Sequence, residues 1–210
     1  LKNRSLRTGA QSFQPLDTMK SELEGVLDSI APASRATAVV SFDHLVLQIL
    51  LSTFDPTITT LEITTILEGH LVPRLNLDAH IAVLNYKEAI VSLRQLVEAG
   101  QRPSEHNTFE LQRILCHHRD DSKGLRFRDP TEADAMPYRM AHRPLTVAEQ
   151  MEVLFSQYEG EWRWLHPVVS SSFLFVELYR IRPFTLDSEA LAYLMCAFNL
   201  MASGYQPPLM

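Results

Sequence analysis

The sequence predicts an all-α protein, a bundle of about eight helices with one small β-hairpin flap. Three observations point there. Apolar residues recur three and four positions apart through most of the chain, the spacing of one helix face. No stretch alternates apolar and polar convincingly enough for a sheet. The breaks fall where proline or glycine stands. With 210 residues, 46% hydrophobic and 21% charged, the chain can bury a sizeable core, which excludes wholesale disorder. Residues 1–12 read as a tail or linker, 13–75 as an N-terminal helical region and 76–210 as the core.

The elements follow in order. Leu16, Met19, Leu23, Val26, Leu27 and Ile30 form a first apolar stripe, with Pro15 as its starter. The run Ala31-Pro32-Ala33-Ser34 ends it. A second helix runs through Leu45, Val46, Ile49 and Leu50 and stops near Asp55-Pro56. A third spans Thr60 to Glu68, with Gly69 as a left-handed cap; its threonines and isoleucines argue against a helix, since β-branched residues favour strands. Asn76 to Ala99 is a long helix closed by Gly100, and Glu105 to His118 the next. Asp120 to Arg143 carries Gly124, Pro130 and Pro137 without helical period; Leu125–Arg128 and Pro137–Met140 are the two arms of the hairpin. Thr146-Val147-Ala148-Glu149 matches a capping box and opens a further helix. Trp162 and Trp164, read as packing aromatics, lead to His166-Pro167 and an apolar helix, Val168 to Tyr179. After a loop, a last apolar helix runs from Asp187 to Ser203 and is capped by Gly204.

Several function classes drop out. Net charge is −6 and the sequence pI about 5.7, so a basic nucleic-acid footprint is absent; Arg126, Arg128, Arg139 and Arg143 form at most a local patch. Cys116 and Cys196 are too few for a disulfide scaffold or a four-cysteine zinc site and read as buried thiols, which suits a cytosolic compartment. The eight histidines show no metal-ligand spacing, and no metal site is expected. No GxSxG or Walker loop is present. The longest apolar run, Leu191 to Ala202, is broken by Asn199 and too short to span a bilayer. No initiator methionine or signal peptide opens the chain, which suggests that a longer protein has been cropped.

The segment from Val176 to Tyr193 is the informative one. An apolar helix feeds a short loop from which a second apolar helix starts, so free backbone N–H groups point at the loop, a potential anion site. This layout resembles the Fic (Fido) family, whose members transfer AMP from ATP to protein hydroxyls and carry HPFx(D/E)GNGRxxR between two core helices. Arg182-Pro183-Phe184 stands where HPF belongs. His166-Pro167 lies one helix upstream, Leu111-Gln112-Arg113-Ile114-Leu115 resembles the family's LHRIL, Gly124-Leu125-Arg126 its GxxR, and Asn85-Tyr86-Lys87-Glu88-Ala89 a common family segment. Thr64-Thr65-Ile66-Leu67-Glu68-Gly69 fits the family's (S/T)xxxE(G/N) inhibitory helix. The resemblance covers roughly residues 40–208 and implies a Fic-like core over 76–210.

The departures carry the functional expectation. The resemblance places Arg182 at the family's base, but a guanidinium stays protonated. Leu186 stands at the acidic metal ligand and has no side-chain oxygen. Asp187, Ser188 and Glu189 replace GNG, and only glycine lets backbone approach a ligand so closely. Ala190 and Tyr193 replace the two phosphate-binding arginines. Pro183 and Phe184 persist, Phe184 as a core aromatic. Asp187 and Glu189 are expected to cap the last helix and fill the phosphate hole. Glu68, deprived of its usual arginine, is expected to bond Tyr193, Ser188 or Arg182, or else to be solvated beside Gly69; Thr64 completes that motif. The chain is therefore expected to be a pseudoenzyme, a regulatory or interaction module with a protein partner, no cofactor, no membrane or nucleic-acid contact, oligomeric state open, acting in the cytosol or as a secreted effector in a host cytosol. The alternative is a Fic-type transferase of altered chemistry or substrate that uses ATP and magnesium.

Overall fold

In the computed structural model, residues 10–34, 46–47, 51, 58–119, 125–128 and 145–207 are described. They hold seven α-helices: α1 (Ala10–Ser29), α2 (Thr60–Leu67), α3 (Leu77–Glu98), α4 (Glu105–Leu115), α5 (Val147–Gly160), α6 (Pro167–Ile181) and α7 (Ser188–Met201), with a 3-10 turn at Trp162–Trp164. Among the described residues there is no strand. Leu125–Arg128, expected as a hairpin arm, is irregular; Arg128 N–H instead bonds the Pro183 carbonyl at 3.0 Å. The other arm, Pro137–Met140, lies outside the described residues, as do Arg139 and Arg143, Gly124 and most of the second expected helix. Of that helix Val46 and Leu47 are helical and buried.

The bundle is organised around α7. Every residue from Ala190 to Leu200 is buried, the mark of a helix surrounded on all sides rather than laid on a surface. Helix α6 packs along it, α3 and α4 flank it, α5 covers α6, and α2 lies on α3. Asn199, which interrupts the apolar run, is pinned inside. It accepts from Tyr158 Oη at 2.6 Å and donates to Ser170 Oγ and Ser171 Oγ at 2.8 Å each, tying α5, α6 and α7 together. A buried amide bonded on both sides avoids the cost of an unmade bond. Burial pushes the Tyr158 phenol up to about 12.

Local chemistry sets the helix ends. Thr146 and Glu149 form the reciprocal capping box of α5. Thr59 and Glu62 form a second one at α2, and its two satisfied ends offset the poor helix propensity of the threonines. Asn76 caps α3 by accepting from Ala79 N–H at 2.8 Å. Helix α4 stops at Leu115 rather than His118. Asn85 Nδ2 takes the Leu115 and His117 carbonyls at 3.0 and 2.7 Å, and His118 turns left-handed, φ 59°. Helix α1 begins at Ala10, so Pro15 sits inside it rather than ahead of it, at the loss of one helical bond. Trp162 packs on Phe173, whereas Trp164 is exposed under the Arg163 guanidinium. It is not a packing residue. Cys116 and Cys196 are buried free thiols. No helix among the described residues is long and apolar enough to cross a membrane, and none of their histidine, cysteine and acidic side chains cluster as a metal site would require.

Candidate functional site

The turn between α6 and α7 brings together most of the residues singled out in the sequence. Helix α6 ends at Ile181 because Arg182 adopts the left-handed conformation, φ 47°. Arg128 then takes over the open carbonyls: Nη2 bonds Ile181 O at 2.9 Å and Nε bonds Arg182 O. Pro183 and Phe184 are buried. Phe184 meets Phe109 edge-on at 5.3 Å and lies 5.6 Å from Phe127, so one ring from α4 and one from the 125–128 segment hold the turn down. Ser188 closes it, accepting from Phe184 N–H at 2.9 Å and donating to Phe184 O at 2.7 Å. Gln112 Nε2 bonds Leu186 O at 2.9 Å, while Gln112 Oε1 is buried with no partner among the described residues.

The expected capping role of the two acids is not what is found. Asp187 stands at the start of α7 in a left-handed conformation, φ 54°, and makes no capping bond. That backbone suits glycine and is tolerated by aspartate at a modest cost. Its carboxylate instead turns to two donors from elsewhere in the fold, Tyr86 Oη at 2.8 Å and Arg119 Nη1 at 2.5 Å. Arg119 also holds Asp78, Nε to Oδ1 at 2.9 Å and Nη2 to Oδ2 at 3.1 Å. The Arg119 and Asp187 side chains are only 14% and 12% exposed. Burial raises the Asp187 carboxyl above its usual range, and Arg119 and Tyr86 pull it back only in part. Burial also works against the Arg119 charge, but Asp78 and Asp187 outweigh it and hold the guanidinium more firmly protonated than usual. Glu189 pairs with Arg182. Each acid in the turn thus has an arginine of the same chain.

Ala190 and Tyr193 are core residues; burial pushes the Tyr193 phenol up. Helix α2 ends with Glu68 as its last-turn cap and Gly69 at φ 88°, the left-handed position that favours glycine. Thr64 Oγ1 bonds back to Thr60 O at 3.1 Å. Glu68 is exposed, and no described residue bonds its carboxylate. Of its three expected partners, Ser188 is taken by Phe184 and Arg182 by Glu189, while Tyr193 lies in the core. Sequence reasoning missed Arg119 and Asp78 altogether. It quoted Tyr86 and Gln112 only as parts of longer segments; the signal was their place in those segments, not their chemistry.

No family sequence model and no curated protein matches this chain. Solved structures do. A fragment of Fic-1 from C. elegans superposes with a TM-score of 0.72 at 18% identity, covering 96% of this chain and 61% of that one. A point variant of the same fragment scores 0.72 at 18% identity, covering 97% and 62%. A Fic family protein from Desulfovibrio desulfuricans G20 scores 0.64 at 16% identity, covering 95% and 58%. The chain spans about three-fifths of the length of these structures. What this likeness and the helix order establish is the fold: the chain is a Fic-fold protein.

Proposed function

We propose that the chain is a degenerate member of the Fic family that does not transfer AMP and acts as a regulatory or protein-interaction module, in its own cytosol or a host's. One observation carries this reading. Both carboxylates at the start of α7 are held by arginines of the same chain, Asp187 by Arg119 and Glu189 by Arg182. A helix N-terminus would otherwise favour an incoming anion. Here the two arginines that could receive a phosphate are already engaged by three carboxylates, Asp78 and Asp187 on Arg119 and Glu189 on Arg182, so a triphosphate would meet a net negative charge and no open cation among the described residues of the turn.

The residues present do not fit a magnesium triphosphate. Leu186 has no side-chain oxygen, and its carbonyl already accepts from Gln112. The backbone from Asp187 to Glu189 carries side chains where a cradle needs bare main chain. Arg182, at the position of the family's base, cannot take a proton from a hydroxyl. The retained Phe184 packing fits a chain that keeps the fold and loses the chemistry.

The test is incubation of the chain with labelled ATP, magnesium and a cell lysate. No label should appear on the chain or on any lysate protein above a no-protein control. Transfer abolished by substitution at Asp187, Ser188 or Glu189 would refute the proposal and leave a transferase of altered chemistry.

A further inference from the structure

Helix α1 is attached to the bundle differently from the other described helices. None of its side chains from residue 12 to residue 29 is buried, whereas α2 to α7 each bury at least two. The hydrophobic core, and the partly buried residues packed on it, hold no described side chain of α1. No backbone bond among the described residues joins α1 to the bundle.

One line of side chains holds it. Phe13, Lys20 and Leu27 are its half-buried residues and lie seven apart, about two helical turns each, so they mark the docked face. Phe13 stacks on His166 with ring centroids 4.1 Å apart. Lys20 Nζ donates to the Ser203 carbonyl at 2.9 Å and lies over the Tyr205 ring. Between them Asp17 accepts from the Tyr205 hydroxyl and lies 3.2 Å from His166 Nε2, with Tyr205 Oη 3.3 Å from the same nitrogen. His166 Nδ1 accepts from Val168 N–H at 3.3 Å, which leaves the Nε2 proton for Asp17. These partners come from the start of α6 and the chain just past α7. Helix α1 therefore crosses the end of the bundle opposite the 182–187 turn.

A unit with few buried apolar contacts opens before the core does, and a lone helix of 20 residues is only marginally stable in water. We propose that α1 is a strap that opens as a unit, held shut by the Asp17–Tyr205–His166 clasp, while the bundle beneath it stays folded. The charged groups facing Asp17 are His166 and Lys20. Glu24 faces Tyr205 and pairs with Lys20, and Arg102 bonds Ser203 Oγ at 3.0 Å from the bundle side. Tyr205 and then His166 hold the Asp17 carboxyl below its ordinary 3.8. The docked form therefore favours the ionised carboxylate; this contribution is present above 3.8 and is lost as pH falls below it. Opening bares the His166 imidazole and the Tyr205 hydroxyl and leaves the far end of α6 and α7 untouched, so the strap stands apart from the fate of nucleotide there.

Hydrogen–deuterium exchange of the full chain, read by mass spectrometry as protection relative to intrinsic rates, tests the strap. In the parent, α1 should show measurable protection, at least about a hundredfold below that of α7. Tyr205→Phe keeps the ring beside His166 and under Lys20 but removes the hydroxyl. It should cut α1 protection about three- to tenfold and leave α6, α7 and the melting temperature unchanged. Asp17→Asn should weaken α1 in the same selective way. The ratio of α1 to α7 protection should fall from about pH 5 to about pH 3 in the parent and stay level in Asp17→Asn. Protection of α1 equal to that of α7 overturns the proposal, because the helix would then open only with the whole fold. Absence of any protection overturns it too, because the helix would not be docked. Protection that neither substitution changes, or that falls equally over α1, α6 and α7, removes the clasp. ATP labelling of the same preparations reads the nucleotide proposal separately.

Discussion

Replacing Asp187 with glycine gives the turn the residue its backbone favours and removes the carboxylate that Tyr86 and Arg119 hold. The two effects oppose each other. Relief of the left-handed aspartate is worth about 1 kcal/mol. Against it, hydrogen bonds to a charged group contribute about 1.5–3 kcal/mol each, and Asp187 accepts two. That loss is reduced because Arg119 keeps both bonds to Asp78 and because a buried carboxylate no longer has to be desolvated. The net expectation is a loss of about 2 kcal/mol, or roughly 4–8 °C in melting temperature for a chain of this size. Urea denaturation should show a lower midpoint at unchanged slope. Asp187→Asn separates the terms, since asparagine tolerates the same backbone and can still accept one bond; it should lose about 1 kcal/mol. The pH dependence supplies an internal check. Burial raises the Asp187 carboxyl in the folded chain, so folding favours its protonated form. Its contribution is fully present below the usual 3.8 and falls as pH rises through the raised value; Asp187→Asn should lack that decline. If Asp187→Gly proves as stable as the parent, the paired-carboxylate account of this turn fails.

Three further outcomes can be checked. Phe184→Ala empties the space between Phe109 and Phe127 and should cost about 3–5 kcal/mol in urea denaturation; a loss below about 1 kcal/mol would mean the turn is not held by that packing. Asn199→Ala removes the partner of the Tyr158 hydroxyl and of Ser171 Oγ, while Ser170 keeps its bond to the Pro167 carbonyl, and should cost about 1–3 kcal/mol, with Asn199→Asp unable to restore it because it exchanges a neutral amide for a buried carboxylate. Glu62 bonds Arg74 and both the side chain and N–H of Thr59, which hold its carboxyl down from 4.5 to about 2. That contribution is present above pH 4.5 and lost as pH falls toward 2, so Glu62→Gln should flatten the acid limb of a pH–stability curve. An unchanged limb would remove Glu62 from the account.

The parts of the fold that sequence reveals are those decided within a few residues. The Thr146–Glu149 box, the Asn76 helix start and the all-round apolar character of α7 depend on near neighbours, and each lies where local spacing puts it. Partners that meet across the fold were not legible. Arg119 and Tyr86 reach Asp187 from 68 and 101 residues away, and nothing in their own surroundings marks them. Two helix ends also escaped notice for the same reason: His118 and Arg182 take the left-handed conformation without being glycine, and the carbonyls left open beside them are bonded by Asn85 and Arg128 from at least 30 residues away. In α1 the hydrophobic pattern was read correctly as helical, but the pattern could not say that Phe13, Asp17 and Lys20 would make the contacts.

Calorimetric titration of the chain with ATP and magnesium, beside the same titration of Asp187→Gly and Glu189→Gly variants, tests the central claim most directly. The account predicts no saturable heat with the parent chain at millimolar nucleotide. Saturable, magnesium-dependent binding to the parent, with an affinity changed by Asp187→Gly or Glu189→Gly, would place a triphosphate at the turn and contradict it.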